Sequence, residues 1–371
     1  MTPDARTSVP PGRVFGLDLL RAAAILMVMV AHSRPNALFG TRWADWFDGL
    51  GTPGVELFFA LSGFLIGSIL LRDLAGPTAT GPREILQFWK RRWYRTLPNY
   101  YLFLVVHVVL AWGRQDPSLT VAAVLPHLFF LQNLVNAPPG FFFGSWTLAI
   151  EEWSYLLLPP LLWVGRRAGL PGPRAAVAGL LILGLGSLTT RLLAPADLDW
   201  SLAVQKAVLR RLDALLFGVG AAWVARYRPE LWTRATWLAL PGAVGFAGLA
   251  VLGVIWGNFA GTPTWVRVLY PTAVGLSAAS LLPWATRLAS GPHPFGAAVR
   301  WISLISYSLY LVHVPLRVVL YQVCFVKLHL PNTWTGEAVF QVVCWTAYLT
   351  AGTCLYYGFE RPLMNLRDRW R

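Results

Sequence analysis

Apolar runs of about twenty residues, the length that crosses a bilayer core, recur along the chain between short polar, proline- and glycine-bearing breaks. Ten such segments are predicted, at 15–34, 54–71, 97–113, 146–164, 174–193, 206–225, 234–256, 265–287, 299–325 and 337–358. The expected fold is all-α, a polytopic bundle of about ten transmembrane helices with both termini on one side. The stretch 121–134, with Pro126 and His127 inside it, is too short to span and is read as a re-entrant or interfacial segment. The first run, Phe15 to Ala31, contains Asp18 and Arg21 and lacks a convincing small-x-small cleavage site. It is therefore read as a retained helix and not a signal peptide. No internal repeat or composition shift marks a second unit. One transmembrane domain is expected over 1–371, with 1–12 as a disordered tail and 362–371 as a basic cytoplasmic tail.

Composition excludes a soluble globular enzyme. Only 13% of the 371 residues are charged against 56% apolar or aromatic, and mean hydropathy is +0.52; soluble domains carry about 25% charge. The remaining charge is lopsided, 31 Lys+Arg against 17 Asp+Glu, a net +14. Such an excess suits nucleic acid or loops held on one face of a membrane. Counting along the predicted spans decides between them. With the N-terminus cytoplasmic, 20 basic residues fall inside, 7 outside and four within spans. That bias orients the bundle with both termini cytoplasmic and removes any need for nucleic acid. Cys324, Cys344 and Cys354 lie in apolar runs without paired spacing and are read as small membrane-embedded fillers; no metal is expected.

Ionisable groups inside spans are costly, so they are the first functional candidates. Span one carries Asp18, Arg21 and His32; Arg21 and His32 share a helix face about 16 Å apart along the axis. A salt bridge at one end and an interfacial histidine at the other would explain them structurally, but all three on one stripe favour function. In span two, Glu56 enters near the depth of His32. It would fix the imidazole tautomer for a general base, unless it is simply a rim carboxylate. Before span three, FWKRRWYRTLP gathers Lys90, Arg91, Arg92 and Arg95 with Trp89, Trp93 and Tyr94. This cluster satisfies the positive-inside rule or anionic lipid, or it clamps a polyphosphate through forked arginine hydrogen bonds with aromatics stacking on a base.

Span four opens with Glu151 and Glu152 between Trp146 and Trp153. Neighbouring helical positions diverge by about 100°, so at most one of the two glutamates points squarely into a site. Span six carries Arg210, Arg211 and Asp213, for which an Arg210–Asp213 pair at helical spacing is a sufficient structural reading. Span nine places Ser306, Tyr310, His313 and Arg317 at offsets 0, 4, 7 and 11, one polar stripe that would line the same cavity as the other charges.

In this order these segments resemble the acyltransferase-3 family of integral membrane O-acyltransferases. The resemblance rests on the Arg21-to-His32 spacing, GVELFFALSGFLI, RRWYR, SWTLAIEEWSYLLLP, SYSLYLVHVPL and FERPL at 359–363, and covers nearly the whole chain. LDLLR in place of the family's LDGLR, Glu56 in place of Asp and EEWSY in place of EEQFY are departures of similar chemistry. No fused esterase-like domain is expected. The resemblance implies acyl transfer from cytoplasmic acyl-CoA, acetyl-CoA first, to a hydroxyl of a sugar, cell-surface glycan or glycosylated natural product. It carries over Arg21, His32, Arg91, Arg92, Arg95, Glu151 and Glu152. His32 would act as general base or transient acyl carrier, oriented by Glu56 or Glu151. Arg91, Arg92 and Arg95 would hold the CoA phosphates with Arg21 along the path, and Tyr310 and His313 would contact the acceptor. The inner membrane of a bacterium is the expected location. A lipid-linked sugar flippase or solute carrier is the alternative, since intramembrane charges mark transport paths too. A non-catalytic scaffold would leave those charges unexplained.

Overall fold

The computed structural model describes residues 13–369 except 36, 37, 39, 40, 76–80, 137–141, 143, 196, 258 and 260. It is helical throughout, with no strand among the described residues. The predicted disordered tail 1–12 and residues 370–371 of the predicted basic tail lie outside the described residues. The rest of that tail continues as a helix to Arg369.

The elements are α1 (Phe15–His32), α2 (Arg42–Gly49), α3 (Gly51–Asp73), α4 (Pro82–Gly113), α5 (Val121–Val124), α6 (Ser145–Arg167), α7 (Gly172–Leu192), α8 (Val208–Arg211) and α9 (Leu216–Tyr227). They continue as α10 (Pro229–Arg234), α11 (Ala239–Trp256), α12 (Thr264–Ala279), α13 (Leu282–Ala285), α14 (Phe295–Tyr321), α15 (Trp334–Leu355) and α16 (Arg361–Arg369). Among the described residues, seven helical stretches are long and apolar enough to cross a membrane: Trp43–Asp73, Pro82–Gly113, Gly172–Leu192, Pro229–Trp256, Thr264–Ala285, Phe295–Lys327 and Trp334–Leu366. The predicted spans at 15–34, 146–164 and 206–225 fall outside that set. Helix α1 has 18 residues and includes Asp18 and Arg21. Helix α6 carries two adjacent glutamates and Pro159–Pro160. The 206–225 stretch is broken, α8 ending at Arg211 and α9 resuming at Leu216 with only 12 residues.

Two further boundaries differ from expectation. Span three was expected to begin at 97, but α4 runs 32 residues from Pro82, so RRWYR lies inside a helix and its side chains follow the helical period. The 121–134 stretch is a short α5 turn followed by a 3₁₀ turn, Leu125–Phe129, ending at a left-handed Phe130. It is tied to the bundle where Tyr100 Oη donates to His127 O (2.8 Å) and Trp153 Nε1 to Phe130 O (2.9 Å). Of the expected cysteine fillers, Cys324 and Cys344 are buried, whereas Cys354 is exposed.

Helix α1 packs against α3 and α14, and α3 in turn crosses α9. Small residues permit that crossing. Gly63 and Gly67 on α3 face Gly218 and Ala222 on α9; a Cβ at Gly63 would lie 2.1 Å from the carbonyl oxygen of Leu215, just before α9, and one at Gly218 2.1 Å from that of Ala60 on α3. Close backbone approach through small-xxx-small pairs is the usual way membrane helices gain packing where lipid offers no hydrophobic driving force. It places α3 between α1 and α9, with the candidate site on its flank.

Candidate active site

Helix α4 decides which arginines face inward. Phe88, Arg92, Arg95 and Asn99 fall at offsets 0, 4, 7 and 11, one helical stripe. Arg92 and Arg95 line a cavity with Arg21 of α1, Ser62 of α3, Glu151 and Tyr155 of α6 and Ser306 and Tyr310 of α14. Arg21 and Arg95 make no hydrogen bond or ion pair with any described residue. Two guanidinium groups therefore face one cavity, together with the Glu151 carboxylate, with donors that no protein hydrogen bond engages among the described residues. Arg91, expected in the same clamp, points elsewhere and pairs with Asp73 at 3.2 Å.

The glutamate pair divides as the 100° rule requires. Glu151 lines the cavity beside Ser62 and Tyr155, whose hydroxyls lie 2.7 Å apart. Glu152 is buried outside it and accepts from Thr96 Oγ1 at 2.7 Å. Asp18, one turn from Arg21, accepts instead from Arg13 Nε (2.6 Å) and Ser303 Oγ (2.7 Å).

His32, the last residue of α1, lines a second chamber with Asp48, Thr52, Trp146, Gln205, Lys206 and Tyr310. The two cavities share Val55 and Tyr310. Tyr310 is fixed there: its Oη donates to Gly144 O (2.9 Å) and lies 2.7 Å from Thr147 Oγ1. Gly144 has φ +96°, and a Cβ added to it would stand 3.4 Å from that oxygen, so glycine suits both the backbone and the contact. Beyond His32, the chamber continues through Asp48, Thr52, Ser201 and Gln205 into a wider opening that Asp45, Trp200, Trp256 and Tyr270 line. The result is a succession of spaces from the arginine end of α1 to the end carrying α2.

Glu56 does not orient His32. It pairs with Arg211 at 2.5 Å, both side chains at most 2% exposed. Asp213 pairs with Arg191 at 2.8 Å, so the Arg210–Asp213 pair is absent; the break after α8 takes Arg210 to the carbonyls of Ala203 (2.6 Å) and Val135 (2.9 Å). The partner of His32 is His313, with Nδ1 of the first 2.8 Å from Nε2 of the second. His313 therefore sits behind His32 and outside the chamber lining, and Arg317 at the end of the stripe donates to Arg34 O (2.7 Å). Residues that the sequence reading did not place in the site are Ser62, Thr96, Tyr155, Thr52, Gln205 and Lys206. Tyr155 was legible, four residues from Glu151 on the same face. Lys206, the first residue of the span expected at 206–225, lies in the bend just before α8.

Fold and site together define a polytopic helical membrane protein with an arginine-lined cavity that shares Val55 and Tyr310 with the chamber lined by His32. The chain belongs to the acyltransferase-3 family, whose acyltransferase-domain model matches residues 14–357. It is 27% identical over 329 residues to the O-acetyltransferase OatA of Staphylococcus aureus, covering 82% of this chain and 50% of that protein. It is 37% identical over 183 residues to the putative peptidoglycan O-acetyltransferase YrhL of Bacillus subtilis, covering 45% of this chain and 27% of that protein. The matched region thus spans half or less of the length of these relatives. No solved structure matches the chain.

Proposed function

We propose that the protein is a membrane O-acyltransferase that moves an acetyl group from acetyl-CoA to a glycan hydroxyl, with cell-wall peptidoglycan the first acceptor to try. The observation that carries this reading is the pair of adjacent cavities, one lined by Arg21, Arg92 and Arg95 and the other by His32, that share Val55 and Tyr310 in their linings. Arg92 and Arg95 hold CoA phosphates by charge-assisted, forked hydrogen bonds, and Arg21 marks the way inward. The pantetheine arm then carries the thioester past Tyr310 to His32, about 16 Å from Arg21 along α1. His32 takes the proton of the acceptor hydroxyl, the oxygen attacks the thioester carbonyl, the C–S bond breaks and the CoA thiolate recovers the proton. Should His32 itself attack first, the acyl group rests on its nitrogen before the hydroxyl takes it.

In this proposal the ten predicted segments form one domain in a bacterial inner membrane, with both termini cytoplasmic. The arginine cavity opens to cytoplasmic acetyl-CoA, and the acceptor enters through the Trp200–Trp256 opening. Family membership favours this reading over the flippase. OatA and YrhL are named O-acetyltransferases, and a glycan acceptor follows from their likeness as a proposal for this chain.

Donor binding tests it. Arg95→Ala is expected to weaken radiolabelled acetyl-CoA binding in nanodiscs by about 10- to 100-fold, more at low salt than at high salt. Arg91→Ala, at a surface pair with Asp73, is expected to change it by less than about threefold. Equal losses for the two variants, or none for either, would return the whole basic cluster to membrane topology.

A further inference from the structure

The hydrogen bonds around His32 determine which of its nitrogens reacts. His313 Nδ1 lies 3.0 Å from Leu309 O. A carbonyl oxygen only accepts, so His313 Nδ1 carries the proton, and in the neutral ring Nε2 carries a lone pair. That lone pair meets His32 Nδ1 at 2.8 Å. The rings are 23° from coplanar with centroids 5.0 Å apart, so the nitrogens meet edge to edge along the lone-pair direction. His32 must then donate from Nδ1.

We infer that His313 is a positioning residue that holds His32 in the Nδ1–H tautomer, making His32 Nε2 the nitrogen that accepts the proton or the acyl group. This rests on the acyl-transfer reading of the site and assigns the residue that sets up its base. The ring geometry agrees. The two imidazole nitrogens lie on either side of Cε1, so with Nδ1 engaged by the 2%-exposed His313, Nε2 points away from His313, in a side chain that lines the chamber.

The arrangement also survives the reaction. When Nε2 takes a proton, Nδ1–H still donates to His313, now as a charge-assisted bond, so the imidazolium gains stabilisation without any rearrangement. A neutral histidine does here what a carboxylate does in many hydrolases, fixing tautomer and orientation. His313 is itself held by its bond to α14 and by the edge of Tyr348, 6.3 Å between centroids at 87°. The relay spans 281 residues of sequence, which is why hydropathy alone does not reveal it.

The test combines a spectroscopic and a kinetic arm on the full chain in nanodiscs. With ring-¹⁵N histidine and the His32 signal assigned by its loss in His32→Ala, the wild type is expected to show His32 protonated at Nδ1 and unprotonated at Nε2. His313→Leu should lose that single pattern. Its kcat for acetyl transfer should fall on the order of 100-fold, with the KM for acetyl-CoA within about twofold. His313→Gln, which places Oε1 where Nε2 was, should recover at least about tenfold of that loss, an effect that a purely packing role would not produce. Wild-type His32 protonated at Nε2 overturns the inference, and so does His313→Leu turning over at the wild-type rate. Retained acetyl-CoA binding shows that the variants are folded, and the wild-type spectrum decides the tautomer whatever they do. If the tautomer is as assigned but the wild type transfers no acyl group, the acyl-transfer reading fails and the positioning role for transfer fails with it. If transfer occurs with the opposite tautomer, only the role of His313 fails.

Discussion

Replacing His32 with alanine is expected to lower acetyl transfer by about 10²- to 10⁴-fold while leaving acetyl-CoA binding within about twofold of wild type. The split follows from the geometry. His32 lines the chamber at the α2 end, whereas Arg21, Arg92 and Arg95 line the other cavity, and only Val55 and Tyr310 belong to both. Removing the imidazole takes away the group that accepts a proton or acyl group and leaves the arginines as they were. A parallel loss of donor binding would mean that the two cavities are one site. Full turnover in His32→Ala would make the histidine structural and remove the mechanism. Steady-state kinetics beside equilibrium binding of labelled acetyl-CoA separates these outcomes.

The second large effect is on stability. Arg211→Ala is expected to destabilise the fold by about 3–5 kcal/mol, because it leaves Glu56 buried and unpaired. Glu56 Oε2 and Arg211 Nε already lack hydrogen-bond partners among the described residues; one bond joins the two side chains, and Arg211 Nη1 donates a second, long one to Gln205 O (3.5 Å). Its environment is largely apolar, with the Arg211 guanidinium 5.8 Å from the Phe59 ring centroid. The double variant Glu56→Leu with Arg211→Met is therefore expected to recover most of the loss, as apolar replacement of a buried pair commonly does. Thermal unfolding in detergent of the single and double variants checks this. If Glu56 instead served the chemistry, the refolded double variant would lose turnover, whereas the ion-pair account predicts that activity returns with stability.

These two residues also show where sequence reading stops. Depth along a span was legible. Arg21 and His32 do lie on one continuous helix, α1, each lining a cavity, and Ser306, Tyr310, His313 and Arg317 all lie on α14. Azimuth was not, because it depends on which helix packs alongside. Glu56 lies at a suitable depth for His32, yet its side chain is claimed by Arg211, 155 residues away. Helix boundaries mattered for the same reason. Treated as a juxtamembrane segment, Arg91, Arg92 and Arg95 are equivalent; within α4 the period separates Arg91, on Asp73, from the two that face the cavity. The breaks on either side of α8 had no apolar signature; Arg211, the last residue of α8, reaches Glu56, and Lys206, just before α8, lines the His32 chamber.

The central claim is that an acyl group taken up at Arg92 and Arg95 is delivered to a hydroxyl at His32, across the bundle. Proteoliposomes test it most directly, with labelled acetyl-CoA outside and cell-wall oligosaccharide fragments either trapped inside or supplied outside with the donor. Mixed insertion does not blur the result, since in either orientation a molecule can use only reactants on opposite faces. The account predicts labelled, ester-linked product when donor and acceptor are separated by the membrane, lost in His32→Ala, and little when they share a compartment. Product formed only when the two reactants are on the same side would contradict it.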